Sequence, residues 1–357
     1  METSMSVLVA LGWNEQVSET YDKFSSGGQT PGRVQRVDRG SVLVSTVRGT
    51  VRMTDARRDP PPGSETGPPA TGDWVVTGSD PDLGAVFVVI LPRTTAISRR
   101  DPANDGSGRV AQVLAANIDR VFIVHGLDRP PQPGRLERSL VIAWDSGAKP
   151  TLVLTKTDLV DPEIATNVKR DLESLTPGVE VIAVSNKTGA GFVQLAPLLV
   201  PGSTVALLGA SGTGKSSLVN RLVGDDAQAT GDTRRGDGKG RHTTTTRDLI
   251  TLNSGAVLID TPGLREIGLW DSREGLDVAF GDISNLALGC RFRDCDHSAE
   301  PGCAVVAAVE NGSLDERRLA SYRSLKVEVS AAEGLVRRKR APRGRRRNAP
   351  ELDREDW

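Results

Sequence analysis

The chain has 357 residues, and its 45 Lys and Arg residues nearly cancel its 46 Asp and Glu residues, which leaves a formal net charge of -1. This length leaves room for roughly two or three domains. The balanced charge excludes a uniformly basic nucleic-acid coat but not a local basic patch. Hydrophobic residues make up 37% and charged residues 25%, which is typical of a globular protein.

Three cysteines are too few, and odd in number, for a disulfide scaffold. No apolar run approaches the roughly 20 residues that span a bilayer. The short start at residues 1–12 lacks the basic region of a secretory signal. We therefore expect a cytoplasmic protein with no membrane partner, and nothing in the sequence indicates more than a monomer.

The first hundred residues divide into a leader and a β region. Residues 1–30 are weakly periodic, and we expect a partly disordered leader there. Residues 31–100 hold short β-branched runs, which are separated by turn-rich stretches: 33–37, 41–47, 73–77 and 85–91. These runs predict a β-barrel of about five strands, the OB-fold, which commonly binds nucleic acid. A β domain with no nucleic-acid role is the alternative.

From residue 110 to residue 280 strand-like runs alternate with helical segments, which favours an α/β domain whose parallel sheet is covered on both faces. The predicted strands are 120–124, 151–154, 181–185, 204–208, 249–252 and 256–259. Residues 281–335 form a mainly helical, cysteine-bearing segment, and residues 336–357 form a basic tail that we expect to be disordered. The chain is therefore predicted to be multidomain.

A phosphate-binding loop is the strongest motif, because it fits the pattern G-x-x-x-x-G-K-[ST] between a predicted strand and a predicted helix. Its candidate nucleotide-binding residues are Gly209, Ala210, Ser211, Gly212, Thr213, Gly214, Lys215, Ser216 and Ser217. Glycines let backbone N–H groups turn toward an anion at a helix N-terminus. Lys215 would contact the β- and γ-phosphates, and Ser216 would offer its hydroxyl to Mg²⁺.

A second motif, Asp260-Thr-Pro-Gly263, follows the predicted strand 256–259. Asp260 lies at a strand end, where it can reach the Mg²⁺ shell, and the Gly263 N–H can sense the γ-phosphate. This D-x-x-G string resembles the third GTPase motif. A simple strand-to-turn connection is the alternative.

Base recognition is predicted at Thr155-Lys156-Thr157-Asp158, which resembles the guanine-reading motif [NT]-K-x-D. A carboxylate at Asp158 can accept both the N1–H and the 2-amino hydrogen of guanine, a donor pair that adenine lacks. Ser185-Asn186-Lys187 follows the next strand and resembles the fifth GTPase motif, whose backbone N–H recognises the guanine carbonyl. Thr155 and Asn186 depart from the usual Asn and Ala, and an ordinary charged turn is the alternative.

The order of these motifs is unusual. In Ras-like GTPases the phosphate loop comes first, whereas here Asp158 and Ser185 precede Gly209 and Asp260. The domain is therefore predicted to be circularly permuted, with strand ends rather than chain order assembling one site. Everything after residue 280 is then tethered to the segment that senses the γ-phosphate.

Residues 231–247 are expected to form a mobile switch loop. Either Thr244 or Thr245 would ligate Mg²⁺, unless the loop is only a solvated Thr-rich turn. The residue after D-x-x-G, often a water-orienting Gln, is Leu264, so intrinsic hydrolysis should be slow. His242 is the candidate that positions water, or else a polar switch residue.

All three cysteines and one histidine lie within 14 residues, as Cys290, Cys295, His297 and Cys303. Three thiolates and one imidazole complete a tetrahedral Zn²⁺ site with no open position, so the expected role of the zinc is structural. Free thiols beside a coincidental histidine are the alternative.

The barrel, the permuted motifs and the zinc cluster together resemble the ribosome small-subunit-dependent GTPase A family over residues 31–335. Family-like strings are 112–120, 240–245 and 260–268. The resemblance implies an assembly factor that binds the small ribosomal subunit and its rRNA, is stimulated by that subunit and assists its late maturation. Two readings remain open: a GTP-sensing RNA-binding scaffold with little turnover, and an ATP-using enzyme. The eight basic residues among 337–347 would suit contact with RNA phosphates.

Overall fold

The computed structural model describes residues 2–100, 111–224, 248–260, 269 and 272–340. No helix within these ranges is both long enough and apolar enough to cross a membrane. The N-terminal segment differs from the expected loose leader, because it contains helices α1 (Glu2–Ala10) and α2 (Glu15–Phe24). The Asn14 side chain caps α2 by accepting from the Val17 N–H.

These two helices are held by a few large side chains. Leu8 and Leu11 are buried, and the ring of Trp13 meets Trp74 of the next domain edge-on at a centroid distance of 5.3 Å. Such edge-to-face pairs add to the stabilisation that burial itself provides. The partner of Trp13 lies far along the chain, so local periodicity could not indicate the contact.

The first domain is a closed five-stranded barrel, which confirms the predicted OB-fold. Its strands are β1 (Thr30–Asp38), β2 (Ser41–Thr46), β3 (Gly49–Asp55), β4 (Trp74–Asp80) and β5 (Gly84–Ile90), in the order β1-β2-β3-β5-β4. Only β3 and β5 pair in parallel. Val34, Val44, Phe87 and Ile90 fill the barrel core. Strand β3 was not among the predicted runs, because its charged and glycine-containing sequence carries little apolar signal.

A short hairpin of β6 (Ala96–Arg100) and β7 (Ala111–Ala116) leads into the second domain. This domain has a six-stranded sheet in the order β10-β9-β8-β11-β13-β12. The strands are β8 (Arg120–Gly126), β9 (Lys149–Thr155), β10 (Glu180–Ala183), β11 (Thr204–Leu208), β12 (Asp248–Thr251) and β13 (Val257–Asp260). All pairs are parallel except β12 with β13.

Helices cover both faces of this sheet, as predicted. They are α3 (Pro133–Asp145), α4 (Pro162–Leu175), α5 (Phe192–Leu195) and α6 (Lys215–Val223). Alternate residues of one strand enter different cores: Ile123 packs in the cluster that contains α3 and α4, whereas Phe122 packs with α5 and α6. This alternation follows from the two-residue period of a strand.

The C-terminal region is helical, with α7 (Arg273–Ala279), α8 (Gly281–Ala287), α9 (Ala304–Glu310) and α10 (Glu316–Arg340). Phe280, Ile283, Val305 and Leu325 belong to its buried core. Helix α10 continues past residue 335, where the sequence predicted the basic tail to begin. The remaining tail, residues 341–357, lies outside the described residues.

One buried cation joins the N-terminal helices, the barrel and the sheet. The Arg33 side chain is almost fully buried, and its Nη1 donates to the Leu11 carbonyl. Its Nη2 donates to Thr204 Oγ1 at 2.8 Å and to the Asn117 carbonyl at 3.2 Å. The guanidinium also lies 4.9 Å from the centre of the Trp74 ring. Arg33 therefore joins the barrel to Thr204, the first residue of strand β11.

Candidate functional site

The predicted motifs meet at one edge of the sheet, because the carboxyl ends of parallel strands lie side by side. The phosphate loop follows β11, the segment Thr155–Asp158 begins at the end of β9, and Ser185 follows β10. Asp260 ends β13, which pairs with β11. The structure thus brings together segments that occur in permuted order along the chain.

The phosphate loop runs from β11 to α6, which begins at Lys215. Gly209 has φ 144°, and a Cβ atom there would lie 2.4 Å from the Val124 carbonyl oxygen, so no larger residue fits without movement. Lys215 Nζ donates to the carbonyls of Gly209 and Ala210, each at 2.6 Å. Its charge therefore lies over the loop, where phosphates would bind at the helix N-terminus.

Asp158, the residue predicted to read the base, lies in the short helical turn that follows β9. Ser185 Oγ donates to Asp158 Oδ1 at 2.6 Å. This hydrogen bond favours the ionised carboxylate and lowers the pKa of Asp158. This contact joins the two segments that were predicted to read the base.

Lys156 adopts a left-handed backbone conformation with φ 61°. Its Nζ donates to Asp128 Oδ2 at 2.8 Å, and this bond lowers the pKa of the exposed Asp128 carboxyl. Sequence reasoning did not single out Asp128. The only signal for it was its place two residues after the end of β8.

Thr155 and Asn186, the two departures from the usual motifs, both contact the phosphate loop. Thr155 is fully buried, and its hydroxyl donates to the Thr213 carbonyl at 2.5 Å. Asn186 Nδ2 donates to the Gly214 carbonyl at 3.0 Å. These long-range contacts were not predicted from the sequence.

Of the predicted Mg²⁺ ligands, Ser216 lies in the first turn of α6 and Asp260 at the neighbouring strand end. A hydroxyl and a carboxylate are hard oxygen donors that suit Mg²⁺. Five further positions of the predicted site and switches lie outside the described residues: His242, Thr244, Thr245, Gly263 and Leu264.

A second site holds the three cysteines and His297, whose ligand atoms all lie within 4.8 Å of one another. The Sγ atoms of Cys290 and Cys303 are 3.8 Å apart, and each lies 3.6 Å from His297 Nδ1. A tetrahedral ion with metal–sulfur bonds of about 2.3 Å and a metal–nitrogen bond of about 2.0 Å would place the two sulfurs about 3.8 Å apart and each sulfur about 3.5 Å from the nitrogen. The donor set therefore fits one tetrahedral ion.

Contacts with the neighbouring helices hold the residues of this metal cluster (Cys290, Cys295, His297 and Cys303) in position. His297 has φ 58°, and the Arg323 side chain of α10 donates to its carbonyl. Cys303 caps α9 through the Val306 N–H. Burial raises the pKa of the Cys295 thiol to about 11, with the neighbouring Cys303 and Cys290 adding to the effect. Metal binding would therefore displace a proton that the thiol otherwise retains.

Comparison with known proteins gives a consistent picture. The RsgA GTPase family model matches residues 90–270. The chain is 45% identical over 326 residues to "Small ribosomal subunit biogenesis GTPase RsgA" of Streptomyces coelicolor, covering 90% of this chain and 87% of the relative. It is 41% identical over 336 residues to the protein of the same name from Opitutus terrae, covering 91% and 90%.

Two solved structures have the same architecture. YjeQ from Thermotoga maritima superposes with a TM-score of 0.61 at 27% identity, covering 85% of this chain and 99% of the other. YloQ, described as a circularly permuted GTPase, gives a TM-score of 0.59 at 24% identity, covering 85% and 96%. The permuted motif order found here therefore belongs to a known fold.

Proposed function

The chain belongs to the RsgA GTPase family, and from this premise we propose that it is a GTP hydrolase of small-ribosomal-subunit biogenesis that binds the subunit and is stimulated by it. Its place would be late in the maturation of that subunit. The observation that carries the proposal is the permuted site, in which Asp158, held by Ser185, lies at the same edge of the sheet as the phosphate loop.

Within this site Asp158 selects guanine, since its ionised carboxylate accepts the two neighbouring donors of that base. Lys215 and the loop N–H groups hold the phosphates of GTP or GDP. Ser216 and Asp260, with Thr244 or Thr245, would hold Mg²⁺, which neutralises charge on the β- and γ-phosphates when it is bound. Gly263 would sense the γ-phosphate, and His242 would orient the attacking water.

The metal cluster is proposed to hold one structural Zn²⁺, because three thiolates and one imidazole leave no position for a substrate. The barrel and the zinc-binding domain would bind rRNA, and the eight basic residues among 337–347 would add salt-dependent contacts to its phosphates. We propose that the chain acts as a monomer in the cytoplasm, which suits an RNA-rich partner particle. GTP would order the two switches, and hydrolysis would favour release.

The proposal is tested by phosphate release from GTP with and without purified small subunits. We expect slow turnover alone and at least tenfold stimulation by small subunits, with no stimulation by large subunits. Lys215→Ala should abolish turnover under both conditions, because it removes the charge that holds the phosphates. Equal rates with and without small subunits would overturn the ribosome-dependent part. A basal rate that Lys215→Ala leaves unchanged would show that contaminating enzyme produced it.

A GTP-sensing scaffold is the second candidate, and the leucine at position 264 favours it because leucine cannot orient water. It predicts subunit binding that requires GTP, but no multiple turnover with subunits present. The same assay, run with excess GTP over protein, separates the two candidates.

A further inference from the structure

The segments that would read the base also hold the backbone of the phosphate loop. Thr155 Oγ1 donates to the carbonyl of Thr213 at 2.5 Å. Asn186 Nδ2 donates to the next carbonyl, that of Gly214, at 3.0 Å. Two side chains from different strand ends thus fix two successive peptide groups, directly before Lys215.

The direction of these contacts matters for binding an anion. In a trans peptide the carbonyl and the N–H of the same group point in opposite directions. Holding the Thr213 and Gly214 carbonyls toward β9 and β10 therefore turns the N–H groups of Gly214 and Lys215 away from those strands. These are N–H groups of the loop that would surround a β-phosphate.

The fit around Gly214 leaves little freedom. A Cβ atom at this position would lie 3.1 Å from Thr155 Oγ1 and 3.2 Å from Asn186 Nδ2. The Gly214 carbonyl also accepts the Leu218 N–H at 2.8 Å as the first bond of α6. Both acceptor positions of this oxygen are therefore used, one by the helix and one by Asn186.

Asn186 is anchored from a second side. Its backbone carbonyl accepts from Arg221 Nη1 at 3.0 Å, and the Arg221 guanidinium lies 5.1 Å from the centre of the Phe192 ring. Arg221 belongs to α6, the helix that begins with Lys215. The segment after β10 is thus attached to both ends of the phosphate-binding helix.

The asparagine side chain also has an oxygen, Oδ1, that is buried and makes no hydrogen bond within the described part of the chain. A buried unpaired acceptor costs free energy, and alanine would avoid that cost. What the side chain contributes here is its amide donor, which holds the Gly214 carbonyl.

We propose that Thr155 and Asn186 are a positioning pair that couples the guanine-reading segments to binding of the β-phosphate. The proposal rests on the guanine-nucleotide site described under the proposed function. Neither side chain needs to touch the base, since each acts through the orientation of a loop peptide. The loop N–H groups are oriented for an anion before it binds only when the segments that carry Thr155 and Asn186 hold the Thr213 and Gly214 carbonyls.

The test measures the dissociation constants of GDP and inosine diphosphate, which lacks the 2-amino group, for the full-length chain, together with thermal stability. We expect Asn186→Ala to weaken both nucleotides in parallel, by about fivefold to tenfold. Asn186→Asp has nearly the same shape but faces the Gly214 carbonyl with an acceptor, so the loss should be larger. Asn167→Ala changes a half-buried asparagine of α4 that accepts a hydrogen bond from Arg170, and it should change neither constant.

Thr155 is tested in the same way. Thr155→Val removes the hydroxyl and should weaken both nucleotides, whereas Thr155→Ser keeps the hydroxyl and should bind within about twofold of the parent chain. In the double variant Thr155→Val, Asn186→Ala the combined loss should be at least threefold smaller than the product of the single losses. Non-additivity of this kind is expected for groups that hold one loop.

Three results would overturn the proposal. A changed ratio of GDP to inosine diphosphate affinity in Asn186→Ala would mean that its side chain reads the base. A lower melting temperature with unchanged affinities would mean that the pair is only structural. Strict additivity of the two losses would mean that the residues act separately. If the parent chain itself binds no guanine nucleotide, the proposed function fails instead.

Discussion

A buried arginine clamps the C-terminal helix to the nucleotide domain, and its removal gives the sharpest stability prediction. Arg318 of α10 is 6% exposed and donates to both carboxylate oxygens of Asp282, at 2.5 and 2.7 Å. Its Nη1 donates at 3.1 Å to Glu137 of α3, a side chain that is 4% exposed. Ser321 also donates to Glu137. One side chain thus joins α10, α3 and the start of α8.

We predict that Arg318→Met lowers the free energy of unfolding by about 3–5 kcal/mol at pH 8. Removing one partner of a buried ion pair leaves the other charge buried without compensation, and this usually costs that amount. The control is Arg138→Met, the same substitution on α3. Arg138 pairs with Glu328 of α10, but these side chains are 35% and 36% exposed. Exposed pairs contribute only about 0–1 kcal/mol.

The pH dependence gives an independent check. Burial raises the pKa of Glu137, while Ser321 and Arg318 oppose the rise. Without Arg318 the folded-state pKa should rise further above the unfolded value. A carboxyl with a raised folded-state pKa favours the folded state at low pH, and that contribution is lost as the pH rises through the folded-state pKa. The deficit of Arg318→Met should therefore be smaller at pH 5.5 than at pH 8.

The assay is urea unfolding followed by tryptophan fluorescence and circular dichroism, with both variants measured at both pH values. Comparison with Arg138→Met cancels the effect of pH on the metal cluster. Equal losses for the two variants, or a deficit of Arg318→Met that does not shrink at pH 5.5, would refute the reasoning.

Two further predictions concern the metal cluster and the phosphate loop. Elemental analysis should find about one equivalent of zinc in freshly purified protein. Cys295→Ser should lower the zinc content below half an equivalent and make residues 290–303 sensitive to protease. A parent chain that contains no zinc and still resists protease there would contradict the structural role. Gly209→Ala should weaken GDP binding more than tenfold, because the alanine Cβ would lie 2.4 Å from the Val124 carbonyl oxygen. Calorimetric titration measures the affinity for GDP. An unchanged affinity would show that the loop has room for a Cβ atom at position 209.

The segments that form the site could be predicted from the sequence because each of them is a short, local motif. The phosphate loop lies between a strand and a helix that could each be recognised locally, and the C-terminal ends of parallel strands must share an edge. The cluster of cysteines and His297 could be predicted because every cysteine falls between residues 290 and 303. In these cases a local pattern was sufficient to predict the arrangement.

Contacts between distant segments could not be predicted in this way. The hydrogen bond from Arg33 to Thr204 spans 171 residues, and Arg33 looked like an ordinary polar residue of a strand. The packing of Trp13 could not be predicted from neighbouring residues, because its partner Trp74 lies in the barrel. Thr155 and Asn186 were recognised only as departures from a motif, since their partners lie in the phosphate loop rather than beside them in sequence.

Asp158, which precedes the phosphate loop in the chain, is proposed to select guanine for the nucleotide that this loop binds. The most direct measurement is the affinity of Asp158→Asn for GDP and for xanthosine diphosphate. An amide replaces an acceptor with a donor there, so GDP binding should fall by about 10³-fold and the preference should invert toward xanthosine diphosphate. Asp161→Asn, which keeps the cap of α4, is the control and should bind GDP normally. If Asp158→Asn still prefers GDP, the assignment of the guanine reader is wrong.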